Sequence, residues 1–157
     1  YPGLGALSPQ GEFDDRLYLS RLLDELLRRG EREVLNRTWL AVHNYTGPRP
    51  LSDPDGFLRF RQYEAIMQAK LGRCVPMIGT EGGTHLGAGV DQRRQIEAVL
   101  GAYEHVARRL DPNFVTYTYW IIANEAGGGR DPEFAGHALI RPEGPTPLAL
   151  ALQGVNA

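Results

Sequence analysis

Glu81 closes an apolar run, Val75-Pro76-Met77-Ile78-Gly79-Thr80, that breaks at once into Gly82-Gly83-Thr84. The run is short, apolar and bounded by glycine, which suits a buried parallel strand, and parallel α/β architectures place their chemistry at the carboxyl ends of strands. A charge at that position costs free energy unless it is hydrogen-bonded or working, so Glu81 is either a satisfied structural carboxylate or a catalytic one. Polar and aromatic residues gather in the same way at two other points. His43-Asn44-Tyr45 follows the apolar run ending at Val42, and Trp120, Asn124 and Glu125 follow the run that starts at Phe114. If these strand ends share one rim, they bring a carboxylate, an imidazole, a phenol and an indole to a single place.

The elements that would position them can be read from a hydrophobic period that switches repeatedly between strand-like runs and helix-like stripes, the signature of parallel α/β structure. Four βα units are expected. The first has a strand at Leu4-Gly5-Ala6-Leu7 and a helix whose apolar stripe is Leu17, Leu19, Leu22, Leu23, Leu26 and Leu27, ending at Gly30. Asp14 and Asp15 suit its N-terminus, and Arg28 and Arg29 its C-terminus. The second runs from a strand at residues 37–42, through a Pro- and Gly-rich loop from His43 to Asp53, to a helix near 54–71. The third joins the strand ending at Glu81 to a helix near 91–110, carrying Ile96, Val99, Leu100, Tyr103 and Val106 and stopped by Asp111-Pro112. The fourth has a strand over 114–122, a long Gly-rich loop and a short helix over 146–152.

With 157 residues, 42% hydrophobic and 23% charged, the chain has globular composition and enough length for one core, so a single domain is expected over residues 1–157. A net charge of −2 leaves no basic footprint for nucleic acid or an anionic membrane surface, and no apolar run approaches a membrane span. Cys74 is the single cysteine, which excludes an internal disulfide and a thiolate cluster, and it reads as a small hydrophobe. His43, His85, His105 and His137 are scattered over different units without a helical zinc spacing, so no metal is expected. His105, on a helix, reads as solvated, and Glu12 likewise.

Four successive βα units fit either an open doubly wound sheet or half of an eight-fold barrel. The turn after the first strand, Ser8-Pro9-Gln10-Gly11, lacks the G-x-G-x-x-G of a nucleotide-binding sheet, and no cofactor is implied. His43-Asn44-Tyr45, Gly79-Thr80-Glu81-Gly82 and Trp120, one motif per unit and in this order, instead resemble the C-terminal half, strands five to eight, of the (β/α)8 TIM-barrel retaining glycoside hydrolases of the clan that includes cellulases, mannanases and β-xylosidases. The resemblance covers nearly the whole chain. It implies hydrolysis of an O-glycosyl bond in a carbohydrate, with Glu81 as the nucleophile, His43 and Tyr45 around it, and Trp120 flooring the sugar site. Asn124 and Glu125 would be loop contacts to substrate. Trp120 would face that site only if Tyr119 faces the helices, because neighbours on a strand alternate sides.

The family's acid/base glutamate lies at the end of the fourth strand, and by this resemblance the chain starts at the fifth. The chain opens at Tyr1-Pro2-Gly3-Leu4 without a methionine and reads as a fragment or a processed product. The acid/base is then expected from an N-terminal half, supplied by another chain or segment, or else the open half-barrel self-associates to cover its edges. Two other readings stay open. Gly82 to Gly89 and Gly127-Gly128-Gly129-Arg130 resemble phosphate-gripping loops of the kind barrels carry after their last two strands. A catalytically silent barrel that binds carbohydrate or scaffolds a partner is the third.

Overall fold

The computed structural model describes residues 1–9, 11–87, 89–124 and 134–154. Four parallel strands, β1 (Gly3–Leu7), β2 (Trp39–Tyr45), β3 (Met77–Gly83) and β4 (Phe114–Tyr117), lie side by side in chain order. Helices α1 (Asp15–Arg28), α3 (Phe60–Leu71) and α4 (Gln92–Ala107) make the crossovers between them. The chain is therefore an α/β protein built of βα units, as its alternating periodicity predicts. Two small elements escape that reading: α2 (Arg32–Asn36), before β2, and an antiparallel pair, β5 (Ile140–Arg141) with β6 (Gly144–Pro145), before the last helix α5 (Pro147–Gly154).

The caps follow from composition. Asp14 accepts from the backbone N–H groups of Arg16 and Leu17 at the start of α1, and Asp91 accepts from Arg94 at the start of α4. Gly72 ends α3 in the left-handed conformation that glycine takes without strain. Asp15, expected to serve the α1 dipole, is instead buried against Arg59 of the short 3-10 turn Phe57–Arg59.

The core lies between the sheet and the helices on one face. Leu4, Leu7, Leu40, Val42, Met77, Phe114 and Tyr117 from the strands meet Leu19, Leu23, Tyr63, Met67 and Ala102 from the helices. Phe57 stands at its centre, edge-on to Phe60, Phe114 and Tyr117. Cys74 packs against this core, and burial raises its thiol. On β2, Leu40, Val42 and Asn44 belong to the buried face, and Asn44 Nδ2 donates to the Phe57 carbonyl at 2.8 Å. Trp39, Ala41, His43 and Tyr45 therefore point to the opposite face. Val115, the residue skipped where the β3–β4 pairing shifts register, is 57% exposed.

Three expectations are corrected here. His43-Asn44-Tyr45 belongs to β2 rather than to a following loop, because its backbone pairs with Glu81-Gly82-Gly83. β3 likewise continues two residues beyond Glu81. His105 is not solvated: its Nε2 lies 2.6 Å from Asp111 Oδ2, and its side chain is 11% exposed. Asp111 also accepts from Arg61 Nε and Nη2, so the residue that stops α4 ties it to α3.

Candidate active site

The pairing of β2 with β3 shifts register between Val42 and His43: Val42 lies beside Gly79, and His43 beside Glu81. Thr80 is the extra residue, left exposed. Such a bulge re-aims the side chains that follow it. Glu81 is thereby turned to the same side as His43, and His43 Nδ1 stands 2.7 Å from Glu81 Oε2, with both side chains 22% exposed. Tyr45, two residues on and on the same face, hydrogen-bonds to Glu81. Burial, followed by that hydrogen bond and the Glu81 charge, pushes the Tyr45 phenol far above its ordinary range, so it stays a neutral donor.

The glycines after Glu81 are required by close approach. A Cβ on Gly82 would lie 2.5 Å from Tyr117 Cε2 and 2.7 Å from the Asn44 carbonyl oxygen. Gly83 has φ +144, and a Cβ there would lie 2.7 Å from Tyr119 Cε2. Glycine at both positions lets the end of β4 close against β3.

β4 ends at Tyr117, five residues earlier than its periodicity predicts. The chain nevertheless stays on β3: Thr118 N donates to the Gly79 carbonyl at 2.8 Å and Trp120 N to the Gly82 carbonyl at 2.9 Å. The Trp120–Ile121 peptide bond is cis. Tyr119 packs inward against Val99 and Leu148, and Trp120 faces outward, the register on which its predicted role depends.

Glu81, Tyr45 and Trp120 line one cleft of about 650 Å³ together with His85, Phe134 and His137. That size and its mixed aromatic and polar wall suit a small polar ligand. Arg49 stands on the same cleft, 4.0 Å from Asp53. Sequence reasoning missed His85, Arg49, Phe134 and His137. The two histidines stack with ring centroids 4.2 Å apart, although they lie far apart in the chain. Nothing in local periodicity announces such a meeting. Asn124 lies apart from the cleft, on a smaller recess of about 70 Å³ with Ala135 and Arg141. Glu125 and the Gly127–Arg130 loop fall outside the described residues.

Glu81 is the single carboxylate among the described residues of the cleft wall. Among the described residues, no group of three or more His, Cys, Asp or Glu side chains could hold a metal ion. The glycine-rich segment after β3 turns its amides inward: Leu86 N donates to the Gly136 carbonyl, and Gly87 and Val90 bond each other's carbonyls. Those three donors are occupied and do not form a cradle for an anion. What the arrangement offers is a carboxylate held by an imidazole and a phenol, open to a cleft with an indole on its wall. Comparison with protein-family models, curated proteins and solved structures finds no match for the chain.

Proposed function

We propose that this chain contributes the nucleophile and sugar platform of a retaining glycoside hydrolase, as the four C-terminal βα units of a (β/α)8 barrel. The observation that carries this reading is Glu81 near the carboxyl end of a parallel strand, 2.7 Å from His43 and hydrogen-bonded to Tyr45, on a cleft shared with Trp120. Retention needs a carboxylate positioned to attack the anomeric carbon, and donors that hold one oxygen leave the other aimed at substrate. The indole supplies a flat apolar surface for sugar C–H groups. The reading also accounts for a sheet whose described strand order begins at β1 and ends at β4, two edges that four further strands would close.

The second carboxyl, about 5 Å from the nucleophile in a retaining enzyme, comes in this reading from the complementary half, whether another segment, another chain or a second copy. It protonates the leaving-group oxygen as Glu81 attacks, then deprotonates the water that hydrolyses the glycosyl ester. The test bypasses that residue by using 2-deoxy-2-fluoro glycosides with a dinitrophenolate leaving group, which departs without acid assistance. Across a panel of hexosides and pentosides, one sugar is expected to add its glycosyl mass to the chain, with the ester mapping to Glu81 and absent from Glu81→Gln. A panel that leaves the chain unlabelled, or labels both proteins alike, refutes the assignment. Glu81 being the lone carboxylate of the described wall favours one second reading, a barrel that binds carbohydrate without turnover. It predicts that Glu81→Gln binds sugar as tightly as the parent.

A further inference from the structure

His137 is 7% exposed, yet it meets every aromatic part of the cleft. Its ring stacks on His85 at 4.2 Å, lies edge-on to Trp120 at 5.4 Å and to Tyr45 at 6.0 Å, and hydrogen-bonds the backbone of Trp120. Its own backbone is pinned from behind. Tyr119 Oη donates to the His137 carbonyl at 2.7 Å, and the preceding carbonyl, of Gly136, accepts from Gln95 Nε2 at 3.3 Å and from Leu86 N at 3.2 Å. Gly136 is itself needed there, because a Cβ would lie 2.7 Å from the Leu86 carbonyl oxygen. A ring on a backbone held this firmly, its Nδ1 buried without a partner, touches both Trp120 and the phenol beside Glu81.

We infer that His137 is the positioning residue of this cleft, a neutral imidazole that locks the Trp120 indole and the Tyr45 ring in one arrangement, so that a sugar resting on Trp120 is presented to Glu81. The inference rests on the glycosidase reading for its last clause alone; the lock on Trp120 stands without it. Burial, and then the neighbouring His85, lower the His137 imidazole to about 4, so the lock is held by an uncharged ring through the neutral pH range. The other groups around it are Tyr45 from β2, Tyr119 after β4 and Gln95 from α4, with Glu81 and Arg49 on the same cleft. An imidazolium there would face His85 across a 4.2 Å stack. Protonating His137 places a charge in a buried site, which is expected to loosen its packing on His85 and Trp120.

The chain has two tryptophans, so Trp39→Phe leaves Trp120 as the sole indole emitter. In that background, Trp120 emission is expected to titrate with a midpoint near 4, and the transition is expected to vanish in His137→Phe, which keeps a ring but has no proton to gain. Adding Glu81→Gln removes the carboxylate of the described cleft wall and is expected to leave the transition in place. Binding of the sugar that labels Glu81, or of neutral methyl glycosides if none does, is expected to weaken at least tenfold in His137→Phe at pH 7. The midpoint of urea unfolding is expected to stay near the parent's; His137→Gln serves where the Phe variant does not fold. Emission that titrates identically with and without His137, or sugar binding unchanged in both variants, overturns the inference. Labelling of Glu81 is a separate readout: its failure removes the glycosidase reading and leaves the Trp120 titration to judge His137.

Discussion

The buried Asp15–Arg59 pair braces the frame behind the cleft, and its removal has a size that can be worked out. Arg59 Nε and Nη2 donate to the two Asp15 oxygens at 2.7 and 2.6 Å, Tyr63 donates its hydroxyl to Oδ2, and the two ionic side chains are 8% and 4% exposed. These contacts join the first turn of α1 to the turn that carries Phe57, whose carbonyl holds Asn44 between His43 and Tyr45. Asp15→Asn keeps the shape but leaves the guanidinium buried against a neutral group. Removing one partner of a buried pair costs about 3–5 kcal/mol. Arg59 retains Asp55 at 2.8 Å on its exposed side, which places the loss at the lower end, about 3 kcal/mol.

With a urea m-value of about 2 kcal/mol/M, the midpoint of unfolding should fall by about 1.5 M at pH 7, and a thermal midpoint by about 9 °C. The pH dependence has a definite sign. Burial by itself raises the Asp15 carboxyl, but the hydrogen bonds from Arg59 and Tyr63 outweigh it and hold the group below its ordinary 3.8. A depressed carboxyl contributes its full stability above the unfolded-state value and loses it as pH falls toward the folded-state value. The gap between parent and Asp15→Asn should therefore be widest at neutral pH and narrow below about 4. Replacing both partners, Asp15→Leu with Arg59→Met, should cost less than the single change, because no charge is left unpaired. A single variant within about 0.5 M of the parent midpoint at unchanged m would refute the reasoning.

Gly82→Ala should destabilise the chain by more than about 3 kcal/mol, or prevent folding, because its Cβ meets the Asn44 backbone at 2.7 Å as well as the Tyr117 ring; urea unfolding measures it. His137, lowered from 6.5 to about 4, binds its proton more weakly in the folded state, so folding stability should decline as pH falls from about 6.5 to 4. The loss over that window is about 3 kcal/mol from this one group, read as the difference in pH dependence between the parent and His137→Phe.

The plan of the fold is written in hydrophobic period. Apolar runs of strand period alternating with leucine- and valine-bearing helical stripes dictate a parallel sheet with crossover helices, because those patterns bury apolar surface only in that arrangement. The glycines around Glu81 marked a carboxylate near the carboxyl end of β3, where a backbone approached this closely admits no Cβ. Local pattern also anticipated that Tyr119 and Trp120 face opposite sides.

Only the tertiary structure decided which side chains meet. The bulge that sets Glu81 rather than Thr80 beside His43 comes from the pairing of β2 with β3, two strands that do not know each other's register until they pack. Asp15 and His105 look like surface residues in sequence and become buried because Arg59 and Asp111 arrive from distant or turning segments to satisfy them. His137 stacks on His85 for the same reason: hydrogen bonds from Tyr119, Gln95 and Leu86 fold its segment over the cleft. Periodicity reports how a segment divides its own faces, whereas a site is made of contacts between segments, and those are selected by packing and hydrogen-bond satisfaction across the whole chain.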